Sequence, residues 1–218
     1  MPNLIFWDVD TQADFMKADG KLHVPGSEEI IPTLKRLTDY AHARGIRIIA
    51  SADDHVPGHR ELSDTPDFVE TFPPHCMRGT PGQKKIPETG LRNPMVIEPE
   101  HRDPAAVAAA ALAHQGDILF HKHWFDVSTN PNVLPVVRAL DPAAIVIYGV
   151  ALDVCDKYAV EGLVQHRPHT RLYFVTDAAR AIKPEVGEHL LKAWAEEGVR
   201  MVKAEEILEA GAVEEYLD

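Results

Sequence analysis

Short, β-rich apolar runs recur along this chain between longer stretches with helical spacing, the pattern of βαβ units wound around a parallel sheet. The runs at 4–9, 46–51, 117–121, 144–149, 171–176 and 199–202 are nearly continuous in apolar character, as expected of strands covered by helices on both faces. Helix signals fit between them. Ser27, after Pro25-Gly26 and before Glu28-Glu29, reads as an N-cap, and Gly45 as the stop. Pro104 opens an Ala-rich helix ending near His114, Pro131 opens the next, one starts near Asp153, and Pro184 opens a helix to Glu197; proline suits the first turn. With no internal repeat and no linker, residues 1–218 are expected to form one α/β domain, three-layer α/β/α with a mainly parallel sheet. From Ala52 to Asp103 periodicity gives way to Pro, Gly, His and charge. So long an irregular stretch inside a compact domain is usually functional.

The charge balance narrows the partners. Twenty-two Lys plus Arg against 34 Asp plus Glu leave a net charge of −12, which repels nucleic acid and acidic lipid heads over most of the surface. The longest apolar stretch, Ala105 to Ala113, is far short of a bilayer span, and the apolar start stops at Asp8. Cys76 and Cys155 are too few for a stapled secreted scaffold. The expectation is a cytoplasmic protein that binds neither nucleic acid nor membrane.

In an open parallel sheet, ligands bind beyond the carboxyl ends of the strands, so the polar residues there are the candidates. The first strand ends in Asp8-Val9-Asp10, the second runs on to Asp53-Asp54-His55, the third ends in His121-Lys122-His123, the fourth leads through Gly149-Val150-Ala151 to Cys155, and the fifth ends at Thr176-Asp177. Cys155 stands near a helix start, where free N–H groups, the helix dipole and a neighbouring Lys122 would favour a thiolate. Such a sulfur attacks a carbonyl carbon, with Asp10 moving the proton and the N–H groups of Ala151 and Cys155 receiving the oxyanion. An isolated cysteine is more often a small buried hydrophobe.

Alternation along an extended segment turns Asp53 and His55 to one side and Asp54 to the other. With His75 they make a three-ligand set suited to zinc or a similar first-row ion, positions being left for water or substrate. His59 lies in the same stretch, and several of the 12 histidines must be incidental. Asp8-Val9-Asp10-Thr11 has the look of a haloacid-dehalogenase phosphatase motif, but Lys122 follows Asp53-Asp54 where that family places its lysine earlier. Cys76 lacks the arginine of a phosphatase loop and reads as structural. Phe15, Phe72, Trp124 and Phe125 are core residues or walls for a flat ring.

Taken in order, Asp10-Thr11-Gln12-Ala13-Asp14-Phe15, Lys122, Gly149-Val150-Ala151-Leu152-Asp153-Val154-Cys155 and Val175-Thr176-Asp177-Ala178-Ala179 resemble the nicotinamidase and isochorismatase-like cysteine hydrolase superfamily. The resemblance implies that superfamily's fold, with Cys155 as nucleophile, Asp10 as general acid/base and Lys122 as electrostatic partner. It also implies a cis Val150–Ala151 peptide beside the oxyanion donors. Asp53-Asp54-His55 and the run Phe72 to Gly82 point to the nicotinamidase branch. There the acid and two histidines hold zinc, with manganese or iron as alternatives, and Phe15 and Phe72 contact the substrate ring. The implied activity is hydrolysis of a small amide, nicotinamide to nicotinate and ammonia through a Cys155 thioester, a step of NAD salvage performed by a homo-oligomer. Asp54 and Phe72 stand where tryptophans are usual, and His123 to Asn130 departs from the family wording. Another small amide, a ureido or carbamoyl compound, or a silent binding protein on the same fold are the competing readings. Cleavage of a vinyl ether, the isochorismatase reaction, needs no cysteine.

Overall fold

A computed structural model describes residues 3–167 and 169–217. The strands are β1 (Leu4–Val9), β2 (Arg47–Asp53), β3 (Met95–Ile97), β4 (Ile118–Lys122), β5 (Ala144–Val150), β6 (Arg171–Arg180) and β7 (Arg200–Val202). They form one seven-stranded sheet in the order β3-β4-β2-β1-β5-β6-β7, parallel throughout. Six strands fall on the six apolar runs. β3 comes instead from the irregular 52–103 stretch, and β2 and β6 run beyond their expected ends to Asp53 and Arg180.

The helices are α1 (Ala13–Met16), α2 (Ser27–Ala43), α3 (Pro104–Ala113), α4 (Val133–Leu140), α5 (Cys155–His166), α6 (Pro184–Glu196) and α7 (Ala204–Leu208). Pro104 and Pro184 occupy first turns as expected. Ser27 is not the cap: Gly26, in the left-handed region at φ 77°, takes that position, and Ser27 Oγ donates to Phe15 O at 3.0 Å. α4 starts at Val133 after an Asn132 cap, two residues beyond Pro131.

Alternation along the strands separates two cores. Ile5, Trp7 and Val9 of β1 join Val107, Val136, Val160 and Trp194 from α3, α4, α5 and α6 on one face. Leu4 and Phe6 join Ile30, Leu34, Leu37 and Ile207 from α2 and α7 on the other. This is the three-layer arrangement the sequence pattern implies. Among the described residues no helix is long and apolar enough to cross a membrane.

Strand order reverses between β1 and β5, which are paired neighbours, so the crevice beyond their carboxyl ends is the topological switch point. Gly149 permits the close approach there. It has φ 137°, and a Cβ on it would lie 2.1 Å from Val9 O.

Candidate active site and metal centre

Four strand ends deliver the site. Asp10 follows β1, where its N–H donates to Ser51 O (3.3 Å) and its Oδ1 accepts from Ser51 Oγ (2.6 Å). Lys122 ends β4 in register with Asp53 at the end of β2. Its Nζ therefore reaches Asp53 Oδ1 at 2.5 Å, Asp10 Oδ2 at 2.9 Å and Cys155 Sγ at 3.7 Å. Cys155, the first residue of α5, lies just beyond β5. The acid, ammonium and sulfur picked out in the sequence thus meet in one buried cluster.

Electrostatics correct one expectation. Burial pushes the Cys155 thiol well above its ordinary range, Lys122 opposes this, and Asp10 and Asp53 add to the rise. The lysine charge is already matched by two carboxylates, so the sulfur rests as a thiol and not as the preformed thiolate expected beside a helix start. Burial also disfavours the Lys122 ammonium, but Asp10 and Asp53 outweigh it and hold the amine firmly protonated. Asp10 lies above the usual carboxylate value, raised mainly by burial against the pull of Lys122. Asp10 Oδ2 and Cys155 Sγ both lie against Lys122 Nζ, at 2.9 and 3.7 Å, which brings a carboxylate into the neighbourhood of the thiol.

The Val150–Ala151 peptide is cis. Ala151 O accepts from Val154 N–H at 3.0 Å and Asp156 N–H at 3.1 Å, fixing the turn into α5. Among the described residues, neither the Ala151 nor the Cys155 N–H donates to a loop or cap carbonyl.

Beside this cluster Asp53, His55, Glu61 and His75, all buried, each bring one donor atom within 4.8 Å of the others. His75 Nε2 stands 3.5 Å from Asp53 Oδ2 and from Glu61 Oε1, and His55 Nε2 stands 3.9 Å from Asp53 Oδ2 and from Glu61 Oε2. Asp53 Oδ2, His55 Nε2, Glu61 Oε2 and His75 Nε2 are buried without hydrogen-bond partners. Buried polar atoms are ordinarily paired, so four orphans aimed at one point fit a divalent cation. Burial drives His55 down to about 3, the neutral form a ligand needs. Burial opposes charge on His75 too, but Asp53 and Glu61 prevail and raise it to about 10, so without an ion the two acids favour the protonated ring.

The surroundings orient the donors. Gln12 clamps Asp53, accepting from its N–H at 2.7 Å and donating to its carbonyl at 2.8 Å. His75 Nδ1 lies 2.8 Å from Pro73 O, and His55 Nδ1 lies 3.2 Å from His59 Nδ1, contacts that select the Nε2 lone pairs for the centre. His59 stands behind the donor set. Sequence reasoning missed Glu61. Its position depends on the Leu62–Phe72 bridge and on Phe72 N–H donating to Glu61 O (2.7 Å), and no periodicity reports such a contact.

Cys155 and His75 open onto a narrow cavity walled by Phe15, Leu22, Phe72 and Ile182, with about 20 Å³ of water-accessible space. Phe15 and Phe72 both line this cavity, 5.4 and 6.3 Å from the His75 ring between centroids. Trp124 instead stacks under the Arg60 guanidinium, and Phe125 packs in the core. Asp177, at the expected strand end, accepts from Ala204 N–H and takes no part in the site. Cys76 is a buried free thiol whose N–H donates to Asp14 Oδ2 at 2.7 Å.

A family model described as "Isochorismatase domain" matches residues 4–206. The chain belongs to this family. Among curated members of similar sequence is the nicotinamidase/pyrazinamidase of Mycobacterium tuberculosis, 37% identical over 173 residues, covering 75% of this chain and 80% of that protein. The nicotinamidase of Escherichia coli is 27% identical over 196 residues, covering 87% and 89% respectively. Among solved structures, the pyrazinamidase of Pyrococcus horikoshii in complex with zinc superimposes on this isochorismatase-family chain with a TM-score of 0.72. That match is 21% identical and covers 93% of this chain and 99% of the other.

Proposed function

We propose that this protein hydrolyses nicotinamide to nicotinate and ammonia through a Cys155 thioester. It is a hydrolase acting on amide C–N bonds. The substrate and the residue roles are carried by one observation: Asp53 is shared. Its Oδ1 holds the Lys122 ammonium that also touches Asp10 and Cys155, while its Oδ2 belongs to the four-donor centre. The nucleophile and a site for a divalent cation therefore line one small apolar cavity.

The positions of these atoms support the proposed steps. As Cys155 Sγ bonds to the amide carbon, Asp10 takes the thiol proton and the carbonyl electrons move onto oxygen, which the Ala151 and Cys155 N–H groups stabilise. Asp10 returns the proton to nitrogen as the C–N bond breaks, so ammonia leaves and a thioester remains. Water, deprotonated by Asp10, adds to that thioester; sulfur departs with the proton, and the acid released ionises. Lys122 holds Asp10 and Asp53 in place and offsets their charge. Phe15 and Phe72 wall the slot for a flat ring. Zinc, manganese or iron suits the donor set of Asp53, His55, Glu61 and His75, and an ion held there supplies a Lewis acid for a heterocyclic nitrogen.

A ureido or carbamoyl substrate is the second reading, favoured by Asp54 standing where nicotinamidases carry tryptophan. A panel of nicotinamide, pyrazinamide, benzamide and an N-carbamoyl amine, assayed for ammonia with and without added zinc, manganese or iron, separates the two. We expect turnover of nicotinamide, an acyl adduct on Cys155 by mass spectrometry, and a loss on the order of 10⁴-fold or more in Cys155→Ala with the fold retained. Absence of ammonia from every compound defeats the reading.

A further inference from the structure

We propose that the opposite side of the same strand ends forms a second, outer site for a divalent metal ion, built from Asp54, Glu98 and His121 with His123 at its edge. Strand geometry makes such a site. β3, β4 and β2 are consecutive parallel neighbours, with Ile97 opposite Phe120 and Asp53 opposite Lys122. Side chains alternate between the faces of a sheet, so Asp53 and Lys122 turn to the catalytic cavity while Asp54, His121 and His123 turn the other way. Glu98, the residue after β3, arrives beside His121.

The distances bear this out. His121 Nδ1 lies 3.0 Å from Glu98 Oε2 and 3.9 Å from Asp54 Oδ2, and one donor atom from each of these residues falls within 4.8 Å of the others. His123 Nε2 is 4.0 Å from the same Asp54 oxygen. That nitrogen is shielded from solvent and has no hydrogen-bond partner, so an imidazole atom stands beside Asp54, at the edge of the three-residue group, with nothing to bind. Two carboxylates and an imidazole, with a second imidazole beside them, are donor chemistry for zinc, manganese and related first-row ions. Asp54 also carries a cation: Arg78 donates to both of its oxygens through Nε, at 3.0 and 2.9 Å, and Gln83 Nε2 donates to Oδ1 at 2.5 Å. The Arg78 side chain is 54% exposed, so the guanidinium can yield at the solvent edge to an ion approaching Asp54 Oδ2.

The outer set shares no residue with the inner centre, so zinc binding by the full chain tests it directly. Protein stripped with a chelator is titrated with zinc by calorimetry, and bound zinc is counted by elemental analysis. Glu98→Gln/His121→Ala, changed at partly exposed positions, should lose one equivalent relative to the wild type while its circular dichroism is unchanged. His75→Ala should retain the outer equivalent, and adding the outer changes to it should remove that too. Arg78→Ala should tighten the outer site without altering the inner one. Zinc binding by Glu98→Gln/His121→Ala equal in amount to that of the wild type overturns the proposal, whatever becomes of the inner centre or of amide turnover.

Discussion

Asp10 must accept a proton when sulfur attacks and donate it when ammonia leaves, so the pH at which it titrates sets the acid limit of the proposed reaction. Burial raises it above the ordinary carboxylate value, while Lys122 and the Ser51 hydrogen bond pull it down. Only the ionised form can take the thiol proton, so kcat/KM should rise with pH through an ionisation above the ordinary carboxylate range. Ser51→Ala removes a donor to the charged form and should move that limb upward by about one pH unit, the equivalent of one charge-assisted hydrogen bond. A pH–rate profile that superimposes on the wild type would show that Ser51 does not tune the base. Asp10, Lys122 and Cys155 were legible in the sequence because each follows an apolar run whose end is a predictable place. Glu61 was not, since a loop bridge brings it to the centre. The state of Cys155 was misjudged for a related reason: sequence shows Lys122 near it but not that Asp10 and Asp53 have already taken up that positive charge.

At the scale of elements, the junction of β1 and β5 carries the tightest constraint. An alanine at Gly149 would thrust a Cβ to 2.1 Å from Val9 O at a backbone angle that L residues avoid. Gly149→Ala should therefore cost about 2 kcal/mol or more in urea unfolding, as overpacking does, and should lower activity by parting Asp10 from the turn that carries Cys155. Unchanged stability would mean that the strands separate freely there. The long strands were readable because both faces are buried and their apolar runs are unbroken. β3 escaped notice because it is a three-residue edge strand with Val96 exposed, too short to establish a period. Ser27 misled for a different reason: its hydroxyl ties α2 to Phe15, a tertiary contact that outweighs its usual preference for capping.

For the molecule as a whole, four orphaned donors in the interior link folding to metal. A ligand that binds the folded state alone stabilises it by about 2.7 kcal/mol at a hundredfold excess over Kd. Stripping with a chelator should therefore lower Tm and zinc should restore it. In His75→Ala most of that recovery should vanish, and a Tm indifferent to chelation would argue that the inner donors hold no ion. The sequence pattern announced a parallel sheet but not its strand order, since each crossover is set by packing and not by local periodicity. Yet that order is what lays β4 against β2 and so sets Lys122 beside Asp53. Because one oxygen of Asp53 steadies the ammonium and the other faces the metal donors, a substitution there is a double lesion. Excess ion can compensate a weakened histidine ligand, but it cannot give Lys122 back its anchor, so Asp53 variants belong genetically with the nucleophile as much as with the metal.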